Sequence, residues 1–183
     1  MQTHYIDFVP LSRVIYEVYA RLLKGVHLAN VEGHELSVDW PEWREERGQF
    51  GRIMRVFGTE AGIEHLLGRI TPLLANDLLK CANAINPVPD CILGTHWYRR
   101  DRKADKNTPS HIGRLKRRAA LRGEVYVPTI SARSPGLHSL RLQSESTRKS
   151  FYMDICRKGS SVEPELQKPS PDIYGFGVVV PSF

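Results

Sequence analysis

Three arginines recur at every fourth position in the segment KNTPSHIGRLKRRAALR: Arg114, Arg118 and Arg122, with Arg117 beside them. On a helix that spacing sets the guanidinium groups along one face and leaves Ile112, Leu115 and Ala119 as a narrow apolar seam opposite. Like charges so placed destabilise an isolated helix by about a few tenths of a kcal/mol per pair. An anionic ligand would offset that cost. The plainer alternative is a solvated basic face. The planar arginine fork pairs with phosphate or with guanine, so a nucleic acid suits this chemistry. Thr108 and Pro109 predict the start of the helix, a capping hydroxyl followed by proline at the first helical position. Gly123 predicts its stop.

A second chemistry needs only a histidine, a serine and a tyrosine. A ribonuclease can recruit the RNA's own 2′-hydroxyl as nucleophile. It then needs a base for that proton, an acid for the 5′-oxygen leaving group and donors for the phosphate, with no metal and no cofactor. His27 falls near the end of the first predicted helix, on the same face as Ala20 and Leu23. Ser144, Ser146 and Thr147 lie in LQSESTRKSF, between two strand candidates, and Tyr174 lies in IYGFG. Singly, each has a plainer reading: a partly packed histidine, turn hydroxyls, an ordinary aromatic. Such a set is assembled in space, so spacing along the chain does not decide between the readings.

The charge pattern supports a polyanion partner. The chain has 183 residues and a formal charge of +6. Tyr98 to Arg122 holds ten Lys or Arg against Asp101 and Asp105, a net of +8, so the remainder sums to −2. One segment carries the whole positive excess, including the neighbouring Arg99–Lys103 run, and that concentration is the footprint of nucleic-acid binding. The hydrophobic fraction of 41% and charged fraction of 25% are those of a globular protein. No apolar run approaches the roughly 18 residues of a membrane helix, and MQTHYIDFVPLSR lacks the basic start and apolar core of a signal peptide. A cytoplasmic protein without membrane association is the expectation. Cys81, Cys91 and Cys156 are odd in number with no CxxC pair, which supports neither a disulfide framework nor a cysteine metal site.

The elements that must position these residues read as α+β. His4–Val9 predicts a strand. Ser12 predicts the cap of a helix to about Leu28, with Val14, Ile15, Val18, Tyr19, Leu22 and Val26 on one face. His34–Trp40 alternates as a half-buried strand, Leu36, Val38 and Trp40 inward, and residues 51–57 predict another. Thr59 caps a helix to about Arg69, and Leu78–Ile85 predicts a fourth strand. The order βαββαβ is ferredoxin-like, a pattern many RNA-binding modules share. Asn86–Gly94, with two prolines and a glycine, predicts a boundary. A ferredoxin-like unit over 1–92 would then be followed by an α+β unit over 93–183 that carries the arginine-rich helix. In that second unit a loop around Pro128–Pro135 precedes strand candidates at Leu137–Leu142 and Phe151–Arg157. YGFGVV resembles the aromatic motif of an RRM sheet, but that motif must be followed by a helix and a strand, and nine residues follow Tyr174.

Taken together, the motifs HYIDF, KGVH, LSVDWP, KNTPSHIGRLKRRAALR, LRLQSESTRKSFYMDI and IYGFGVVVPSF resemble, in order and nearly end to end, the type I-F CRISPR-associated endoribonuclease. That family processes the repeat hairpins of precursor CRISPR RNA. By position, the resemblance implies His27 as the histidine acting on the 2′-hydroxyl proton, Ser144 as the serine orienting the ribose, and Tyr174 as the tyrosine that helps hold the site. It implies Ser146 and Thr147 near the scissile phosphate and Phe151 stacked on the base pair closing the stem. Arg118 and Arg122 would lie in the RNA groove, with Arg114 and Arg117 on the same helix, and Arg102 would read a guanine. Ala104 stands where the family has a glutamine, and alanine cannot make a bidentate contact to a base edge.

The implied reaction is attack of the 2′-hydroxyl at the 3′ base of the stem, giving a 2′,3′-cyclic phosphate and a 5′-hydroxyl. The product would stay bound, with the other subunits of the surveillance complex as partners. Two further readings use the same residues: a non-catalytic subunit that caps an RNA hairpin, and a binder of double-stranded DNA.

Overall fold

A computed structural model describes residues 2–102, 109–127, 138–144 and 148–183. Predicted features at Ala104, Thr108, Ser146, Thr147 and the Pro128–Pro135 loop lie outside those residues.

The chain is α+β. Its first half runs β1 (His4–Pro10), α1 (Ile15–Val31), β2 (Ser37–Asp39), β3 (Met54–Gly58), α2 (Glu60–Arg69), α3 (Thr71–Ala75), β4 (Leu79–Cys81) and β5 (Asn86–Pro87). The sheet order is β2-β3-β1-β4, with β5 also paired to β1. Every pairing is antiparallel, Ile6 facing Val56 and Phe8 facing Cys81. This is the ferredoxin-like order expected from βαββαβ. The second half contributes β6 (Gly94–Asp101), α4 (Pro109–Leu121), β7 (His138–Gln143), β8 (Ser150–Gly159) and β9 (Val179–Ser182). Its antiparallel sheet has the order β7-β8-β6-β9. Residues 88–93 link the two sheets, joining β5 to β6.

Helix α1 buries Val18, Tyr19, Leu22, Leu23, Val26 and Ala29, the apolar stripe of a 3.6-residue period. Its start differs from the expectation. The helix begins at Ile15, and the Ser12 hydroxyl accepts only from Val14 N, at 3.3 Å, so the first turn has no side-chain cap. Val14, expected inside, is half exposed. Thr59 does cap α2, its hydroxyl accepting from Gly62 N at 3.1 Å. The expected strand over Leu78–Ile85 is reduced to Leu79–Cys81, and β5 follows only at Asn86–Pro87. The Asn83 side chain interrupts the ladder by accepting from Asp7 N at 2.8 Å.

The largest departure is at β2. It is three residues long and buried on both faces, with Ser37 and Asp39 as hidden as Val38. Alternation predicted a wet face, but the second sheet covers it. Asp39 Oδ1 accepts from Tyr98 OH at 2.8 Å and lies 2.7 Å from His96 Nε2. His96 Nδ1 in turn lies 2.9 Å from Ser182 Oγ on β9. A buried carboxylate is tolerable only with such partners. The aromatic cluster crosses the same seam: Trp40 packs on Tyr98 at 5.2 Å, and Trp43 stacks on His138 at 3.5 Å between centroids. One apolar core therefore runs through both sheets.

Candidate RNA-cleavage site

Two elements far apart in sequence meet at the candidate site. The first is α1, which places Lys24, His27 and Asn30 at three-residue intervals, hence on one face. The helix extends a turn beyond its predicted end, so His27 sits inside it. The second is the loop Asp172–Phe176. Its shape is set by Asp172, whose Oδ1 accepts from Tyr174 N at 2.8 Å and Phe176 N at 3.0 Å. Such a turn is what an aspartate side chain favours. Gly175, at φ +83°, lets the loop lie against β2. A Cβ there would stand 3.1 Å from Leu36 O and 3.3 Å from Ser37 Cα.

Asn30 ties the two together. Its Nδ2 donates to Leu36 O at 2.8 Å and Asp172 O at 3.2 Å, while its Oδ1 accepts from Leu36 N at 2.6 Å. The loop then holds the histidine. The His27 ring stacks on Tyr174 with centroids 4.6 Å apart and planes 16° apart. His27 Nδ1 lies 3.3 Å from Ile173 O. A carbonyl only accepts, so Nδ1 carries the hydrogen, and a neutral ring held this way presents Nε2 as the basic nitrogen.

A cleft of about 290 Å³ opens here, lined by Lys24, His27, Gln143, Ser144, Phe151 and Tyr174, with Leu142 at its floor. Ser144 is held by its backbone, its N donating to Lys149 O at 3.0 Å and its O accepting from Arg148 N at 2.9 Å. The Arg100 guanidinium stands 5.5 Å over the Phe151 ring. Burial holds the Tyr174 phenol above the ordinary tyrosine value. The charge of Arg100 opposes that rise and Asp172 adds to it. Near neutral pH Tyr174 is therefore a hydroxyl donor and not a phenolate. Lys24 and Arg100 add positive charge, which suits a phosphodiester. A larger cleft of about 500 Å³, by Arg13, Tyr16 and Gly51 at the start of α1, shares no lining residue with this one.

The expected residues thus separate. His27, Ser144, Tyr174 and Phe151 share the cleft. Arg114, Arg117 and Arg118 are exposed on α4, whose Ala119 is buried, and Arg122 is exposed in the turn just past its end. Arg102 is exposed just past β6. Ser146 and Thr147 fall outside the described residues. Arg122 is paired with Glu124, Nη2 to Oε2 at 2.9 Å. Arg114 Nη2 lies 2.9 Å from His111 Nδ1.

Within the Arg99–Lys103 run expected to extend one basic patch, Arg99 and Arg100 diverge, and Lys103 lies outside the described residues. Successive strand residues point to opposite faces. Arg99 leaves toward Glu163, Nη1 to Oε2 at 3.0 Å, while Arg100 approaches Phe151 and Tyr174, and Asp101 is buried.

Sequence reasoning missed Lys24, Asn30, Arg100 and Asp172. Helical spacing from His27 would have found the first two, and strand alternation would have found Arg100. As for metals, Glu32, His34 and His65 bring donor atoms within 4.8 Å of one another. Arg69 already engages both Glu32 and His65, its Nε 3.0 Å from His65 Nε2, and the group shares no residue with the cleft.

The family model described as CRISPR-associated protein (Cas_Csy4) matches residues 7–183. Among solved structures, the chain is similar to a CRISPR-associated protein Cas6 at 11% identity and a TM-score of 0.31, covering 100% of this chain and 99% of that one. It is also similar to Cas6b at 11% identity and 0.29, covering 99% and 100%. No curated protein sequence gives a match.

Proposed function

Because the chain belongs to the CRISPR-associated Cas_Csy4 family, the type I-F endoribonucleases that process CRISPR repeat RNA, we propose that it cuts its repeat hairpin by a metal-independent attack of the RNA's own 2′-hydroxyl. The observation that carries this reading is the meeting of His27, Ser144 and Tyr174 in one cleft. His27 Nε2 takes the 2′-hydroxyl proton, because Nδ1 is committed to Ile173 O. Ser144 orients the ribose. Tyr174 fixes the plane of the imidazole and, as a neutral phenol, donates to the phosphate. Lys24 and Arg100 stabilise the charge that develops on the phosphorane oxygens. The bond to the 5′-oxygen breaks, that oxygen takes a proton from water, the His27 imidazolium returns its proton to solvent, and the products are a 2′,3′-cyclic phosphate and a 5′-hydroxyl.

Recognition is divided between two surfaces. Phe151 stacks on the base pair that closes the stem, and the arginines of α4 bind the groove and its phosphates. Arg102 reads a guanine, while Ala104 leaves the neighbouring base pair without the family's bidentate partner. The enzyme keeps its product and joins the other subunits of the type I-F surveillance complex, in the cytoplasm. Among the described residues no helix is long and apolar enough to cross a membrane.

The direct test is a denaturing gel of repeat hairpin RNA incubated with the protein in excess EDTA. Cleavage at the 3′ base of the stem, with a cyclic phosphate on the upstream product, is expected. Tight binding with no cut over hours would instead favour a non-catalytic hairpin-capping subunit.

A further inference from the structure

The cleft does not end at Lys24. A second depression of about 340 Å³ shares Lys24, Leu142 and Gln143 with it and continues along α1. Glu17, Arg21 and Lys24 line one wall, and Arg141, Gln143 and Ser150 line the other. Strand β7 is the edge of its sheet and packs beside α1, and the trough runs between the two. Three cations face one carboxylate. Arg21 and Arg141 are exposed, and among the described residues neither is held in an ion pair. Gln143 and Ser150, also exposed, offer neutral donors and acceptors between the charges. A narrow run of cations with amide and hydroxyl groups suits an extended single strand, whose phosphates follow the charges. None of these residues belongs to α4.

We propose that this trough binds the single-stranded RNA on the 3′ side of the cut. The inference rests on the ribonuclease reading above. If the scissile phosphate lies between His27 and Ser144, one strand must pass through the cleft. That strand enters as the 3′ arm of the stem, on the Phe151 side. It leaves as the 3′ flank, and the trough is the basic path that continues from the cleft. Arg21 and Arg141 bind its phosphates, and Lys24 stands at the junction. Cleavage turns this strand into a separate product held only by the trough, so the flank departs while the stem remains bound on α4.

The test compares three RNAs: a hairpin ending at the cut, one with a 3′ single-stranded flank, and one with a 5′ flank. The flanked RNAs carry a 2′-deoxy nucleotide at the cut so that they stay intact. Affinities for wild type and Arg21→Gln/Arg141→Gln are measured over a salt series. Removing the cation that neutralises one phosphate of a single strand makes the log–log salt slope shallower by about 0.7. The double variant is therefore expected to have a slope shallower by about 1.4, with weaker binding, for the 3′-flanked RNA alone. Equal changes on all three RNAs, no change on any, or weakening confined to the 5′-flanked RNA would overturn the assignment. If wild type neither binds nor cuts an all-ribose flanked hairpin, the ribonuclease reading itself falls, and the trough assignment with it.

Discussion

His27 and Tyr174 are stacked ring on ring, 4.6 Å between centroids, and the residue between Asp172 and Tyr174 supplies the carbonyl that faces His27 Nδ1. The orientation of the imidazole and the choice of its basic nitrogen are thus both set by one five-residue loop. That loop is in turn shaped by Asp172 and docked through Gly175 and Asn30.

Tyr174→Phe keeps the stack and loses the hydroxyl. Hairpin affinity should hold, and the single-turnover cleavage rate should fall by about tenfold or less, the worth of one hydrogen bond. Tyr174→Ala should cost more, because the imidazole loses its support. Since burial raises this phenol, its proton stays on through the ordinary working range and leaves only as pH climbs past the usual tyrosine value. The wild-type to Phe rate ratio should accordingly be flat from about pH 6 to pH 9. Equal losses in the Phe and Ala variants would rule out a part for stacking.

Asn30 touches neither His27 nor the expected path of the RNA, and it acts by position. Asn30→Ala leaves Leu36 N, Leu36 O and Asp172 O without this partner, at about 1–3 kcal/mol of stability for the buried groups. The cleavage rate should drop while hairpin affinity stays, and the pH profile of the remaining rate should shift as the Ile173 carbonyl moves from His27. Asn30→Asp keeps the bond to Leu36 N but loses both donors, so it should not restore the profile. An unchanged profile with only a lower melting temperature would mark Asn30 as purely structural.

The ferredoxin-like half was largely legible because its signals are local: a helical stripe on α1, the Thr59 cap, and prolines after short strands. Position 39 was not. Asp39 reads as a wet strand residue, and only the second sheet, with Tyr98 and His96, explains its burial. Ser12 failed as a cap for a different reason: the chain turns once more before α1 begins. The cleft was legible through residue types and resemblance, since nothing near His27 in sequence announces Tyr174. Arg100 was hidden inside a charge run whose alternate members the strand sends to opposite faces.

Arg122 holds Glu124 in an ion pair. If Arg122 binds the RNA groove, phosphate must displace that carboxylate. Glu124→Gln should therefore tighten hairpin binding slightly, the median exposed pair being worth about 0–1 kcal/mol. Arg122→Gln should weaken binding and make the salt slope shallower by about 0.9 for a duplex phosphate. Weaker binding in Glu124→Gln would contradict the competition.

Alkaline stability should report on Tyr98. Burial, and then the nearby Asp39 carboxylate, push its phenol well above the ordinary value. A pKa raised in the folded state stabilises fully below the unfolded value of about 10 and is lost as pH rises through the folded one. Tyr98→Phe should lower the melting temperature at neutral pH, by about 2–4 °C for each of the 1–3 kcal/mol lost with its bonds to Asp39 and Trp40. The same variant should show a gentler decline in stability above about pH 10. Thermal melts from neutral to strongly alkaline pH would show whether the decline is unchanged, which would remove Tyr98 as its source.

In this mechanism the substrate brings its own nucleophile and His27 takes its proton. The most direct measurement pairs single-turnover cleavage with equilibrium binding for His27→Ala on an all-ribose hairpin, beside wild type on the same hairpin with one 2′-deoxy nucleotide before the cut. Wild-type affinity is expected in both cases, with a rate lowered about 10²–10⁴-fold in the variant and no cut at all in the deoxy substrate. Undiminished cleavage by His27→Ala, or cutting of the deoxy hairpin, would contradict it.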